Sequence, residues 1–294
     1  MSRYCLTVTC SSRRGVVAAI SGFLADNGCS ITDSAQFDDP DTGRFFMRIS
    51  AVAETGVTQE QLEERFAPVA RDLDMDWGIH GEDEKMKVLV MVSRYGHCLN
   101  DLLYRTSIGA LPIEIVAVVS NHLAYQKLVV NNDIPFHHIR VTPENKPEAE
   151  ARLLDLVEET GAELVVLARY MQVLSDDLCQ KLSGRIINIH HSFLPSFKGA
   201  NPYRQAFQKG VKLIGATSHY VTADLDEGPI IEQETTRVTH AQSAEDYVSI
   251  GRDVEASVLA RAIHAHANRR VFPNGPKTVV FPASPGSYST QHLG

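Results

Sequence analysis

A short apolar run ends in three side chains that could do chemistry on a carbonyl group. The isoleucines of residues 186–189 predict one buried strand, and Asn188, His190 and His191 lie within it or directly after it. Side chains two residues apart on a strand point to the same side, so we expect Asn188 and His190 to face one site. An amide donor beside an imidazole can stabilise the negative charge that builds on a carbonyl oxygen during attack.

These side chains have to be positioned by elements that alternate between strands and helices. A continuous apolar run at 88–92 predicts a strand that is covered on both faces. Residues 114–119 and 164–167 predict two further strands. Their alternation with helical segments predicts an α/β domain with a mostly parallel, twisted, Rossmann-like sheet. Ligands of such sheets bind beyond the carboxyl ends of the strands. Residues 169–175 and 188–199 both follow strand ends, so we expect both segments in that crevice.

A further strand and the turn after it contribute two more candidates. Residues 211–221 predict a strand that carries His219, and the turn at 222–229 carries Asp226, so the two residues flank one loop. The chain contains no G-x-G-x-x-G and no G-x-x-x-x-G-K-[ST] sequence. Nicotinamide and ATP chemistry therefore lack their usual phosphate-binding loops.

Composition narrows the class of protein. The chain has 294 residues and a net charge of -8, and an acidic chain is poorly suited to holding nucleic acid. No apolar run approaches the roughly 20 residues that a membrane span needs, and the first residues lack the apolar core of a signal peptide. Five cysteines are scattered without C-x-x-C spacing, which favours reduced thiols. We therefore expect a cytoplasmic protein that binds neither nucleic acid nor a membrane.

The residues before the α/β domain predict a second, smaller domain of the ferredoxin-like α+β class. Strands and helices follow the order β-α-β-β-α-β there. This order, the R-x-G-V-V sequence at 13–17 and the segment 27–31 after the first helix resemble an ACT domain. We assign residues 1–82 to this domain and residues 86–294 to the α/β domain, with a short acidic linker between them.

The resemblance to ACT domains implies a role in assembly and regulation. Such domains pair side by side and often bind an amino acid where they pair, so we expect a homo-oligomer, most simply a tetramer, with an amino-acid effector. Ser11 and Ser12 stand where related enzymes often carry Pro-Asp, and this departure from the pattern argues against effector binding. The alternative is a domain that serves oligomerisation alone.

The motifs of the α/β domain resemble the formyltransferase fold family. They occur in the order and spacing of that family: N-I-H at 188–190, S-F-L-P at 192–195, Gly199, His219 with Asp226 seven residues on, and G-P-I-I at 228–231. The family uses 10-formyltetrahydrofolate and a catalytic set of asparagine, histidine and aspartate. These fall on Asn188, His190 and Asp226, and the match runs from about residue 87 to about residue 282.

Within that group, the closer resemblance is to the formyltetrahydrofolate deformylases. An ACT-like domain precedes the catalytic one, and His191 stands where the ribonucleotide transferase has proline. The turn at 93–97 lacks the Gly-Ser/Asn pattern that cradles a ribosyl phosphate in that transferase, which makes water the available acceptor. The resemblance implies hydrolysis of 10-formyltetrahydrofolate to tetrahydrofolate and formate, which supplies formate for one-carbon and purine metabolism. It implies no cofactor and no metal, because the folate is the substrate.

The resemblance also implies a role for each site residue. Asn188 would donate its side-chain N–H to the developing oxyanion. His190 would add a second donor or a proton and protonate the leaving nitrogen, while Asp226 would orient His190 and the water and accept a proton. The other predicted substrate-binding residues are Met171, Gln172, Val173 and Leu174 of the pterin loop, His191, His219 and Gly199.

Other interpretations of the same residues stay open at this point. His190, His191 and Asp226 could suggest zinc, but their spacing forces no third ligand and the resembling family works without metal. Transfer of the formyl group to an amine is the alternative reaction, and strict dependence on an added amine would reveal it. A non-catalytic amino-acid sensor would bind amino acid but no folate. The H-x-H pair at 264–266 falls on a predicted helix, where its side chains diverge, so we expect it at the surface.

Overall fold

The computed structural model describes residues 2–54, 56–196 and 202–283. The described chain divides into two compact units, one of residues 2–84, 268–274 and 278–283, the other of residues 85–267 and 275–277. The sequence-based division had assigned everything after residue 86 to the second domain. Two aromatic residues account for the difference, because Phe272 packs against Phe46 of the first unit and Phe281 packs against Phe272.

The first unit has the predicted β-α-β-β-α-β order. Its elements are β1 (Arg3–Ser11), α1 (Val16–Asp26), β2 (Cys29–Asp39), β3 (Arg44–Ala53), α2 (Gln59–Asp72) and β4 (Asp76–Gly81). The strands form an antiparallel sheet in the order β2-β3-β1-β4. Helix α2 begins at a capping box, in which Thr58 and Gln61 bind each other's backbone N–H groups.

The second unit alternates strands and helices as predicted. Its elements are β5 (Met86–Val92), α3 (His97–Ser107), β6 (Ile113–Ser120), α4 (Gln126–Val130), β7 (Phe136–His138), α5 (Lys146–Thr160), β8 (Leu164–Leu167), α6 (Asp176–Lys181), β9 (Ile186–His190), α7 (Pro202–Lys209), β10 (Leu213–Tyr220), β11 (Ile230–Arg237) and α8 (Ala244–Ala267). The short strands β12 (Val271–Asn274) and β13 (Lys277–Val280) pair with each other near the end of the described chain.

The seven strands of the second unit form one sheet in the order β11-β10-β9-β8-β5-β6-β7. The five strands from β9 to β7 are parallel, whereas β10 and β11 are antiparallel to their neighbours. This confirms the predicted mostly parallel sheet. The carboxyl ends of β8 and β9 lie side by side, so the loops after them start from the same edge of the sheet.

Helix α8 corrects one expectation. Its His264 is only 4% exposed and His266 is half-buried, with Nδ1 2.6 Å from the hydroxyl oxygen of Tyr220, so the expectation of a surface pair was wrong. The reason is that α8 packs against two helices, α3 and α7, as well as β9, β10 and β11. A helix with neighbours on several sides buries polar residues that its own periodicity places outside. No helix in the described part of the chain has the length and apolar character of a membrane span.

Candidate active site

Asn188 and His219 face each other across two paired strands. In the antiparallel register of β9 and β10, Asn188 lies opposite His219, and its Nδ2 is 3.2 Å from His219 Nε2. His219 Nδ1 lies 2.8 Å from the carbonyl oxygen of Tyr220, which can only accept, so Nδ1 carries the proton. In neutral His219, Nε2 therefore accepts one amide N–H of Asn188. The second amide N–H is left for a ligand.

Asp226 reaches the same place from the loop after β10. Its backbone is left-handed, with φ 57°, which is uncommon for a residue other than glycine. Gly228 allows the loop to return close to β10, because a Cβ there would overlap the carbonyl oxygen of Tyr220. Asp226 Oδ2 lies 3.2 Å from His190 Nδ1, and Oδ1 lies 3.7 Å from His219 Nε2, beyond hydrogen-bond length.

The surroundings of Asp226 favour its ionised form. Burial alone would raise the pKa of the Asp226 carboxyl, but the hydrogen bond from His190 is the largest of the interactions that outweigh burial and hold the pKa well below its usual value. The carboxylate therefore accepts from His190, and His190 Nδ1 carries the proton. An anion of such low basicity is suited to orienting an imidazole.

His190 has one nitrogen without a protein partner. His190 is buried, and its Nε2 has no hydrogen-bond partner among the described residues. Buried polar atoms are nearly always paired in folded proteins, and the exceptions often mark a ligand or a catalytic role. Because Nδ1 is held by Asp226, Nε2 presents a lone pair when His190 is neutral and an N–H when it is charged. Either form suits exchange of a proton with a bound molecule.

A cavity of about 830 Å³ surrounds these groups. Its walls come from the loops after β8, β9 and β10 and from α7 and α8, all within the second unit. The lining includes the predicted residues Met171, Gln172, Val173, Leu174, Asn188, His190, His191, His219 and Asp226. Cavities of roughly 300–1,000 Å³ hold cofactor-sized molecules.

The loop after β8 presents a mixed surface to this cavity. Met171 and Val173 are 52% and 59% exposed, whereas Leu174 is buried in the core of the unit as well as lining the cavity. The backbone N–H of Met171 donates to Ser93 Oγ at 3.0 Å, and that hydroxyl donates to Asn121 Oδ1 at 2.7 Å. These hydrogen bonds tie the loop to the ends of β5 and β6. The exposed side chains of Met171 and Val173 remain available to cover a flat ligand.

His191 lies next to the catalytic candidates and is neutral. Its ring centroid is 5.1 Å from that of His190 and 6.2 Å from that of Tyr203. Burial and the positive charge of Arg169 lower the pKa of His191 to about 3. At neutral pH the ring therefore offers one N–H and one lone pair.

Sequence reasoning missed Glu255, a buried carboxylate in the wall of the cavity that has three polar partners. Glu255 of α8 is only 1% exposed, and it contacts Arg169, His97 and Tyr203. The available signal was that Glu255 lies on the same face of the helix as Tyr247, about two turns earlier, where most other residues are apolar. The predicted residue Gly199 lies outside the described residues.

The described residues offer one group with the donor types of a metal site, His97, Cys98 and Glu255. Glu255 Oε2 already lies 3.3 Å from the guanidinium Nε of Arg169, and a positive charge at that distance opposes a cation. Burial also raises the pKa of the Cys98 thiol well above its usual value, which disfavours the thiolate that a metal binds. This group is therefore better explained by its protein partners.

Two protein families match the chain. The formyl transferase family matches residues 86–263, and the ACT domain family matches residues 6–67. Among solved structures, glycinamide ribonucleotide transformylase 1 from Symbiobacterium toebii has a TM-score of 0.64 and 28% identity, and covers 69% of this chain and 97% of that one. The second unit is thus a domain of the formyl transferase class.

Relatives that match almost the whole chain, and not the second unit alone, define the family more closely. Formyltetrahydrofolate deformylase from Corynebacterium sp. (strain P-1) is 50% identical over 279 residues, which cover 95% of this chain and 98% of the relative. The enzyme of that name from Burkholderia mallei ATCC 23344 has a solved structure with a TM-score of 0.93 and 49% identity, covering 96% of this chain and 100% of that one. The chain therefore belongs to the formyltetrahydrofolate deformylase family, which confirms the predicted resemblance.

Proposed function

We infer that this chain hydrolyses 10-formyltetrahydrofolate to tetrahydrofolate and formate. The observation that carries the inference is the meeting of Asn188 and His190, both on β9, with Asp226 from the loop after β10, at the wall of a cofactor-sized cavity. An amide donor, an unpartnered imidazole nitrogen and an ionised carboxylate form a set that can activate water and stabilise an oxyanion. The relatives named above carry the same activity in their names.

We propose that the folate binds along the loop after β8. Met171 and Val173 are exposed apolar side chains that can cover a pterin ring, and the main chain of the loop can pair with its polar edge. Ser93 holds this loop through the backbone N–H of Met171. A folate bound there would place its formyl group near Asn188 and His190, which line the same cavity. Gln172 lines this cavity as well.

The proposed reaction begins with attack by water on the formyl carbon. Neutral His190 accepts a proton from that water at Nε2, while Asp226 holds the Nδ1–H and stabilises the imidazolium that forms. The formyl oxygen becomes an oxyanion. Asn188 stabilises it with the amide N–H that His219 does not use. The low pKa of Asp226 favours this orienting role over direct proton acceptance.

Collapse of the tetrahedral intermediate completes the reaction. The bond between the formyl carbon and N10 breaks as His190 returns its proton from Nε2 to the leaving nitrogen. The products are tetrahydrofolate and formic acid, which ionises to formate. Each proton taken by the imidazole is thus given back within one turnover, and no group of the protein is left altered.

We also propose that the ACT-like unit binds an amino-acid effector and brings copies of this chain together as a homo-oligomer, most simply a tetramer. The match of residues 6–67 to ACT domains supports the regulatory class of the unit. The proposed compartment is the cytoplasm, because all five cysteines are free and buried. Light scattering tests the assembly, and a monomer would contradict it; calorimetric titration with amino acids tests the effector.

One assay tests the proposed activity. The purified chain is incubated with 10-formyltetrahydrofolate in a buffer free of primary amines, and formate and tetrahydrofolate are measured separately. We expect the two products in equal amounts. Formyl transfer that occurs only when an amine is added would overturn the hydrolase assignment, and binding of amino acids without binding of folate would favour a sensor.

A further inference from the structure

The cavity contains a second group of buried polar side chains, which we call the Glu255 cluster: His97, Arg169, Tyr203 and Glu255. Glu255 Oε2 lies 2.8 Å from His97 Nε2 and 3.3 Å from Arg169 Nε, and the hydroxyl of Tyr203 donates to Glu255 Oε1 at 2.8 Å. All four residues line the same cavity as the catalytic candidates. None of them has a role in the mechanism proposed above.

The chain is built to bring these groups together. Arg169 is buried and has a left-handed backbone, with φ 64°, two residues after the end of β8. Such a conformation costs energy and persists only where the surrounding structure holds it. Gly251 lies one turn before Glu255 on α8, and a Cβ there would overlap the ring of Tyr203. The glycine therefore lets the Tyr203 ring lie against α8, where its hydroxyl reaches the carboxylate.

The cluster is charged but internally balanced. Burial opposes ionisation of Glu255, yet the hydrogen bond from His97 and the charge of Arg169 lower the pKa of its carboxyl below the usual value. Burial and the nearby carboxylate raise the pKa of Tyr203, so its hydroxyl stays a donor. A buried ion pair of this kind is costly to break, which makes the cluster a fixed wall.

A continuous row of rings joins this wall to the reacting groups. The Tyr203 ring lies 6.2 Å from the His191 ring, which lies 5.1 Å from that of His190. The charged groups that act on His191 are Arg169, Glu255, His190 and Asp226, and the first of these, together with burial, keeps the ring neutral. A neutral imidazole beside His190 can hold one water by accepting its O–H or donating to its oxygen.

We propose that the Glu255 cluster is a positioning device that fixes His191 as the binding site of the attacking water, so that water takes the formyl group in preference to an amine. The proposal rests on the hydrolysis inferred above. The cluster acts through His191 and does not touch the reacting atoms. It also occupies one wall with an ion pair, so an amine nucleophile entering there would have to disrupt the contact between Arg169 and Glu255.

The test compares Glu255→Gln with a matched control on the same helix, Asp253→Asn, whose side chain is exposed and does not line the cavity. Each protein receives 10-formyltetrahydrofolate with and without hydroxylamine, and formate and formohydroxamic acid are both measured. For Glu255→Gln we expect kcat for formate to fall about tenfold with KM within about twofold, and the share of formohydroxamic acid to rise several-fold. Tyr203→Phe should shift the same ratio less.

The pH profile supplies a readout that a purely structural role would not move. Arg169→Gln removes the charge that disfavours imidazolium at His191, so its acid limb of kcat/KM should move to higher pH. Arg169→Lys keeps the charge and should restore the limb. These variants and Tyr203→Phe decide the question if Glu255→Gln does not fold, as judged by circular dichroism.

The outcomes separate this inference from the activity on which it rests. Absence of formate from the unaltered protein overturns both. Formate from the unaltered protein, with product ratios and pH limbs in the variants that match those of Asp253→Asn, overturns the positioning role alone. A rise in KM without a change in product ratio would also overturn it, because that result indicates lost folate binding and not a misplaced water.

Discussion

Two carboxylates, one half-buried and one almost fully buried, serve the same cavity in different ways. Asp226 sits on a left-handed loop residue, keeps partial exposure and has histidines as its closest ionic partners. Glu255 sits within a helix, is almost fully buried and is held by an arginine, a histidine and a tyrosine hydroxyl. The loop carboxylate can respond to a proton on His190 during turnover. The helix carboxylate is locked by its partners, which suits a wall and not a reacting group.

Asp226→Asn should produce the largest loss of activity. The amide can still accept a hydrogen bond from His190, but it no longer stabilises the imidazolium that forms during attack. We expect kcat to fall by about 10²–10⁴-fold, measured as formate released under saturating folate. Asp133→Asn is the matched control, because Asp133 is an exposed aspartate with a similar left-handed φ of 57°. Equal activity of the two variants would remove Asp226 from the mechanism.

Asn188→Ala should have the next largest effect on turnover. It deletes the N–H donor expected to face the oxyanion, and losing one such donor typically lowers kcat by about 10²–10³-fold. KM should change little, because the contact strengthens only when charge develops. Turnover near that of the unaltered protein would exclude the oxyanion role. A rise in KM alone would instead indicate that Asn188 binds the folate.

Loss of Glu255 should reduce stability more than loss of Asp226, although Asp226 matters more for activity. Glu255→Ala leaves Arg169 buried without its ionic partner, so we expect the free energy of unfolding to fall by about 3–5 kcal/mol. Asp226→Asn keeps an acceptor for His190 and should change stability by only about 1 kcal/mol. Urea unfolding followed by circular dichroism measures both. The contrast between a locked and a responsive carboxylate would be lost if the two values were equal.

How much of the site could be predicted follows from where each partner lies. Asn188 and His190 are two apart on a strand whose apolar neighbours identify it, and Asp226 follows another strand end. Both features are local, so the sequence offered these residues as candidates. Their catalytic roles came from the resemblance to the formyltransferase fold family. Glu255 and Arg169 were missed as a pair because their meeting depends on how α8 packs on the sheet, which no local pattern contains.

The same limit explains the fold-level differences. The order of strands and helices was predictable because apolar runs and helical spacing are properties of neighbouring residues. Helix α7 was not predicted, although Tyr203, Ala206 and Phe207 stand at helical spacing, because the segment is short and otherwise polar. The burial of His264 was missed because it depends on several elements surrounding α8 at once.

A pH-dependent effect on stability is expected at His191, whose ring lies next to those of His190 and Tyr203. Its pKa is about 3 in the folded chain and near 6.5 when unfolded. The unfolded state therefore binds the extra proton first, and the stability contributed by this group is complete above pH 6.5 and is lost as pH falls towards 3. His191→Gln should reduce the slope of unfolding free energy against pH in that window by at most about 1.4 kcal/mol per pH unit. The measurement is urea unfolding at a series of pH values. If His191→Gln leaves the slope unchanged, folding does not lower the pKa of His191. The ring of His191 would then not be held in its neutral form, in contrast to the interpretation given above.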